Sequence, residues 1–166
     1  MDPKIRYAHS DHHCILKLDG DIRHTVSSVV EAIIGEFLAT DASPEFVIDL
    51  TDTTFIDSTN LGLLAKIARE SWKRGTDRPI LVSTKPDINA VIQSMGFGQA
   101  FDIVEAHEAT GADLHEAPTL MEYSDPGKAR RLLEAHEALI DLDERNRETF
   151  QRVVDVLRKQ TPPEGA

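Results

Sequence analysis

An α/β layer fold is predicted for this 166-residue chain by three features of its sequence. Strand-like and helix-like segments alternate from Lys4 to Val104. One of the strands, Phe46–Leu50, is apolar almost throughout, as in parallel strands covered on both faces. Amphipathic helical spacing recurs between the strands. Crossovers in such a fold are right-handed.

Lys4–His9 and Cys14–Asp19 read as two strands joined by a turn at Ser10-Asp11-His12-His13. In the second, Cys14, Leu16 and Leu18 share one face while Lys17 and Asp19 point the other way. Gly20-Asp21 breaks the alternation. Thr25 is a candidate N-cap for a helix whose apolar positions are Val26, Val29, Val30, Ile33, Ile34, Phe37 and Leu38. Ser43-Pro44 stops it, and the apolar strand follows. Leu61–Lys73 is the next helix, striped by Leu63, Leu64, Ile67 and Ala68 and ended by Gly75. Pro79–Ser83 is a strand. Pro86 suits the first turn of a helix carrying Ile88, Val91, Ile92 and Met95, closed by Gly96. Phe101–Val104 is the last strand.

Residues 107–127 are acidic, lack Lys and Arg, and hold two prolines and two glycines, so they read as a loop or linker. From Lys128 a helical stripe runs through Leu132, Leu133, His136, Leu139 and Ile140. The polar run Asp141–Thr149 interrupts it, and Phe150, Val153, Val154 and Leu157 resume it. One long helix and two helices folded back both fit this pattern. The units expected are a domain over 1–106, a linker over 107–127, a helical extension over 128–160 and a frayed tail over 161–166. A continuous helix carries its distal stripe past a compact domain. Phe150, Val153, Val154 and Leu157 are then candidates for an interface with a second copy or a partner.

Charge excludes one class of function. Eighteen Lys and Arg face twenty-nine Asp and Glu, a net of −11, with ten basic and sixteen acidic residues already in 1–106. No basic stripe of the kind that neutralises nucleic-acid phosphates is present. The mean hydropathy is negative, and no apolar run approaches the roughly 20 residues of a membrane helix. With no signal-peptide layout at the N-terminus, a cytoplasmic protein is expected. The lone Cys14 excludes an internal disulfide. His9, His12, His13 and Cys14 cluster without the spacing of a zinc site, so no metal is expected. His24, His107, His115 and His136 are scattered and read as solvated. Neither a Gly-x-Ser-x-Gly elbow nor a Walker phosphate loop occurs, so no cofactor is expected. An enzyme using Ser58 as nucleophile has no base placed for it by the sequence.

The informative segment is Asp57-Ser58-Thr59-Asn60-Leu61-Gly62, where a buried strand leads into hydroxyl residues at a helix mouth. Asp57 or Ser58 can cap the free amides there, and the same geometry welcomes a phosphate. This stretch resembles the Asp-Ser-Ser or Asp-Ser-Thr, Gly-Leu-Gly signature of the STAS-domain anti-sigma-factor antagonist family. Leu18-Asp19-Gly20-Asp21-Ile22 is similar to the family's Gly-Glu-Leu-Asp before the first helix. The resemblance spans about residues 4–105.

It implies a mixed central sheet of about five strands with helices, to which the C-terminal segment is an addition. It also implies a non-enzymatic bacterial switch in transcription. In this switch the unphosphorylated form sequesters an anti-sigma factor, a serine kinase phosphorylates Ser58, and a PP2C-type phosphatase reverses it. Thr59 is the second choice of acceptor. The alternative is a STAS scaffold or transporter-associated subunit without phosphorylation. Two departures stand out: Asn60 replaces a frequent glycine, and Arg23 replaces an aspartate. A guanidinium at Arg23 could pair with a phosphate on Ser58; the alternative is a surface arginine in a loop.

Overall fold

The computed structural model describes residues 2–40, 42–118 and 125–161. Seven strands are present among them: β1 (Lys4–His9), β2 (His13–Ile22), β3 (Glu45–Asp49), β4 (Thr53–Ile56), β5 (Ile80–Val82), β6 (Asp102–Val104) and β7 (His115–Ala117). The helices are α1 (Ser27–Leu38), α2 (Ser58–Arg74), α3 (Pro86–Ser94), α4 (Lys128–Leu142) and α5 (Asn146–Gln160). The sheet order is β6-β5-β3-β2-β1-β7, with β4 paired to the far end of β2. β1 pairs antiparallel with β2 and β7, whereas β2–β3, β3–β5, β5–β6 and β2–β4 are parallel. The sheet is therefore mixed, as expected, and larger than five strands.

All five helices contribute to one core on one face of the sheet, against Leu16, Leu18, Ile48 and Leu81. The other face carries a small cluster of Ile15, Val47 and Val82, covered by Ala109 and Leu114. Residues 107–127 are thus more than a linker. His107 caps a 3-10 turn by accepting from the Ala109 amide, and β7 adds a strand to the edge. Lys17 and Asp19 do face away from the main core, but they are buried too. The Lys17 ammonium lies 2.8 Å from Asp52, 3.2 Å from Asp19 and 3.5 Å from Asp49. Burial opposes its charge, yet these carboxylates outweigh the cost and hold its pKa above the ordinary lysine value.

Local signals placed most boundaries. Gly75 takes the left-handed C-cap of α2 at φ 67°, and Pro86 sits in the first turn of α3. Thr25 does not cap α1. A 3-10 turn at His24–Val26 precedes the helix, and the Ser27 hydroxyl donates to the His24 carbonyl instead.

The polar waist turns. α4 ends at Leu142 because Asp143 leaves helical backbone and its carboxylate accepts from the Arg145 amide at 3.0 Å. Asn146 then donates to the Leu139 carbonyl at 2.7 Å, which also accepts from the Asp143 amide, and to the Met95 carbonyl at 2.9 Å. α5 folds back, and Phe150, Val154 and Leu157 join the main core. The distal interface expected from a continuous helix loses three of its four side chains. Only Val153 stays exposed, beside Val156. The tail expected at 161–166 lies, past Thr161, outside the described residues.

α4 is tied to the domain by a buried arginine. Arg131, 4% exposed, donates to both oxygens of Asp125 at 2.7 and 3.0 Å, to Glu31 at 3.3 Å and to the Ser27 hydroxyl at 3.3 Å. Hydrogen bonding from Arg131 holds the Asp125 carboxyl below the usual aspartate value. A depressed folded pKa contributes stability that is present above the unfolded value, about 3.9, and lost as pH falls through the folded one. Asp125→Asn is expected to cost about 1–2 kcal/mol at neutral pH. That difference from wild type should shrink toward zero in acid, as read by urea melts at a series of pH values. A constant difference down to the lowest pH sinks the assignment.

Candidate functional site

The site is built at the junction of β2, β4 and α2. Gly20, at φ 85°, turns the end of β2 and donates its amide to the Asp52 carbonyl at 2.9 Å. The register to β4 shifts at this point. The buried Thr53 hydroxyl donates to the Leu18 carbonyl at 2.6 Å, locking β4 in place. The Asp57 amide donates to the Ile22 carbonyl at 3.1 Å, extending the pairing to the helix mouth. β4 was not read from the sequence. Its four residues lack a clear alternation, and its partner is the distant end of β2.

Asp57 is the N-cap of α2. Its Oδ1 accepts from the Asn60 amide at 3.0 Å and from the Asn60 side-chain amide at 2.9 Å. Asn60 is wholly buried, and its side-chain amide gives the Asp57 cap a second bond. Ser58 is the first helical residue and is half-buried, whereas Thr59 is 5% exposed.

The contact made by Ser58 was not foreseen. Its Oγ lies 3.0 Å from His136 Nε2 on α4. The other ring nitrogen, Nδ1, is 2.6 Å from the Leu132 carbonyl. A carbonyl only accepts, so Nδ1 carries a proton, and in the uncharged ring Nε2 offers its lone pair to the Ser58 hydroxyl. The ring is 5% exposed and tilts against Phe150 with centroids 5.2 Å apart. His136 is therefore not solvated, contrary to the sequence reading. The usable signal was its place on the Leu132–Ile140 stripe, because a polar residue on a buried face needs a partner.

The other candidates are placed as follows. Arg23 is exposed, with its guanidinium 4.3 Å above the Phe55 ring and 4.0 Å from the Asp21 carboxylate. These contacts, rather than Ser58, are what hold it. The His9–Cys14 cluster does not converge. His9 packs on Phe37, His13 lies 3.5 Å from Glu45, and Cys14 points into the core. Burial pushes the Cys14 thiol up to about 12, which keeps it neutral. His107 also engages Glu45, at 3.1 Å.

A mixed sheet with helices on one face, and a capped serine opening α2 beside the end of β2, define the class. Residues 4–117 match the STAS domain, and the chain belongs to that family. Two solved structures share the fold. One is the anti-sigma factor antagonist SpoIIAA in its unphosphorylated form, with TM-score 0.53 and 20% identity over 64% of this chain and 92% of that one. The other is the Bacillus cell fate determinant SpoIIAA in its phosphorylated form, with TM-score 0.52 and 21% identity over 64% and 94%. α4 and α5 lie beyond the matched residues. No described helix is long and apolar enough to cross a membrane.

Proposed function

We propose that this chain is a bacterial, cytoplasmic anti-sigma-factor antagonist that sequesters an anti-sigma factor while Ser58 is unphosphorylated. The observation that carries this reading is Ser58 itself. It is half-buried at the N-terminus of α2, behind the Asp57 cap, in a STAS fold similar to one solved in both phosphorylation states. A serine kinase, which is the anti-sigma factor or acts beside it, adds the phosphate, and a PP2C-type phosphatase removes it. The protein is the substrate of that chemistry and not an enzyme.

A phosphate brings about −1.5 to −2 charges to one spot, beside the Asp57 carboxylate. At a partner interface that charge must be desolvated or repelled, which is enough to release the partner. Thr59 is the weaker acceptor because its side chain is buried. Arg23, held over Phe55 at the end of β2, is a cationic rim for the same surface.

Incubation with ATP and the kinase, followed by mass spectrometry, is expected to place one phosphate on Ser58. Ser58→Ala should abolish labelling and keep the partner bound. Ser58→Asp should weaken partner binding at least tenfold, about 1.4 kcal/mol. Label that persists in Ser58→Ala and disappears in Thr59→Ala refutes the assignment. The contact of Ser58 with His136 favours one second reading, a STAS scaffold whose serine is a structural tether of α4 and is never phosphorylated. In that case the kinase leaves Ser58 unlabelled.

A further inference from the structure

We propose that His136 is the charge partner of a phosphate on Ser58. On this view it takes up the proton that the serine gives up and holds the phosphate as an imidazolium. The inference rests on Ser58 being the phosphoacceptor and adds a residue from outside the matched STAS region.

The side chains at the helix mouth leave little else for the role. The Asp57 carboxylate is engaged by Asn60 and is itself negative, while the Arg23 guanidinium sits over Phe55 beside Asp21. Nε2 of His136, at 3.0 Å, is the group the Ser58 hydroxyl already meets. The Leu132 carbonyl holds the ring in orientation through Nδ1, whether the ring is neutral or charged.

In the phosphoryl transfer, Ser58 Oγ forms a bond to the γ-phosphorus of a nucleoside triphosphate held by the kinase. The bond from that phosphorus to the β–γ bridging oxygen breaks, and the nucleoside diphosphate leaves. The hydroxyl proton remains to be placed. If Nε2 stays unprotonated, its lone pair faces a phosphate dianion in a poorly solvated site, with the Asp57 carboxylate nearby. If Nε2 accepts the proton, it donates a charge-assisted N–H···O bond to a terminal oxygen of the phosphate that Oγ carries, roughly twice as strong as a neutral one. The α4 helix then senses the phosphate through its own side chain.

The test uses the full chain with Ser58→phosphoserine installed during translation, so no kinase is needed. In ¹⁵N spectra of histidine-labelled protein at neutral pH, Nε2 of His136 is expected to shift from the unprotonated to the protonated range when the phosphate is present. An Nε2 resonance that stays unprotonated beside the phosphate overturns the proposal. His136→Gln keeps a hydrogen-bonding group that cannot become charged. Adding the phosphate should therefore lower the Tm of His136→Gln more than that of wild type. Equal losses in the two backgrounds, or a larger loss in wild type, also overturn it, because a histidine that only tethers the serine hydroxyl has a bond to lose to the phosphate and none to gain. The failures are separable. A kinase that leaves Ser58 unlabelled defeats the switch reading, whereas the spectra with installed phosphate judge His136 alone.

Discussion

Ending the chain after Leu142 is expected to destabilise the whole protein by about 3–5 kcal/mol, not to release a folded domain that has lost a partner surface. Phe150, Val154 and Leu157 are 7%, 1% and 8% exposed and belong to the main core. Burying three such side chains is worth roughly 5–9 kcal/mol gross, and ordering the helix takes part of that back. The truncation also removes both Asn146 hydrogen bonds, to the Leu139 and Met95 carbonyls. It bares the Phe150 side of His136, the residue that holds Ser58. Against a typical total of about 5–15 kcal/mol, the loss is large. Urea denaturation followed by circular dichroism reads it directly. A truncated chain with an unchanged midpoint, losing only self-association, restores the interface expected of a continuous helix.

The contrast between α5 and α2 shows what was legible in the sequence. Asp57 as a cap, Gly75 as a C-cap and the stripe of Leu63, Leu64 and Ile67 are local signals, each settled within about four residues. The motif Asp57–Gly62 drew attention to Ser58 for the same reason. The stripe of Phe150, Val154 and Leu157 was equally plain, but a stripe does not say which surface it covers. That was decided by Asp143 and Asn146, whose roles depend on the distant Met95 carbonyl and on α4. β4 and β7 escaped notice because strands of three or four residues are defined by their partners, here the end of β2 and the edge of β1. His136 belongs to this second kind. Its meaning comes from a serine 78 positions away.

Gly62→Ala is expected to destabilise the protein by about 2–4 kcal/mol, against its local preference. In a helix interior alanine is favoured over glycine by about 1 kcal/mol. Here a Cβ on Gly62 would lie 2.1 Å from the Ala135 carbonyl oxygen, 2.5 Å from its carbon and 2.8 Å from its Cα. All three are backbone atoms of α4, so no side chain can swing aside and the helix itself must move. Overpacking of this kind costs about 1–3 kcal/mol, occasionally more. A shift of α4 also strains what it holds beside the contact, the 2.8 Å pair of Lys66 with Glu134 and the 3.0 Å contact of Ser58 with His136. Gly35 in α1 is the control. It is exposed, and a Cβ there meets nothing within 4 Å, so Gly35→Ala should stabilise by about 0.5–1 kcal/mol. Thermal and urea unfolding of the two variants should therefore move in opposite directions. If both are stabilised, α4 does not sit against α2 at Gly62, and the Ser58–His136 contact loses its support.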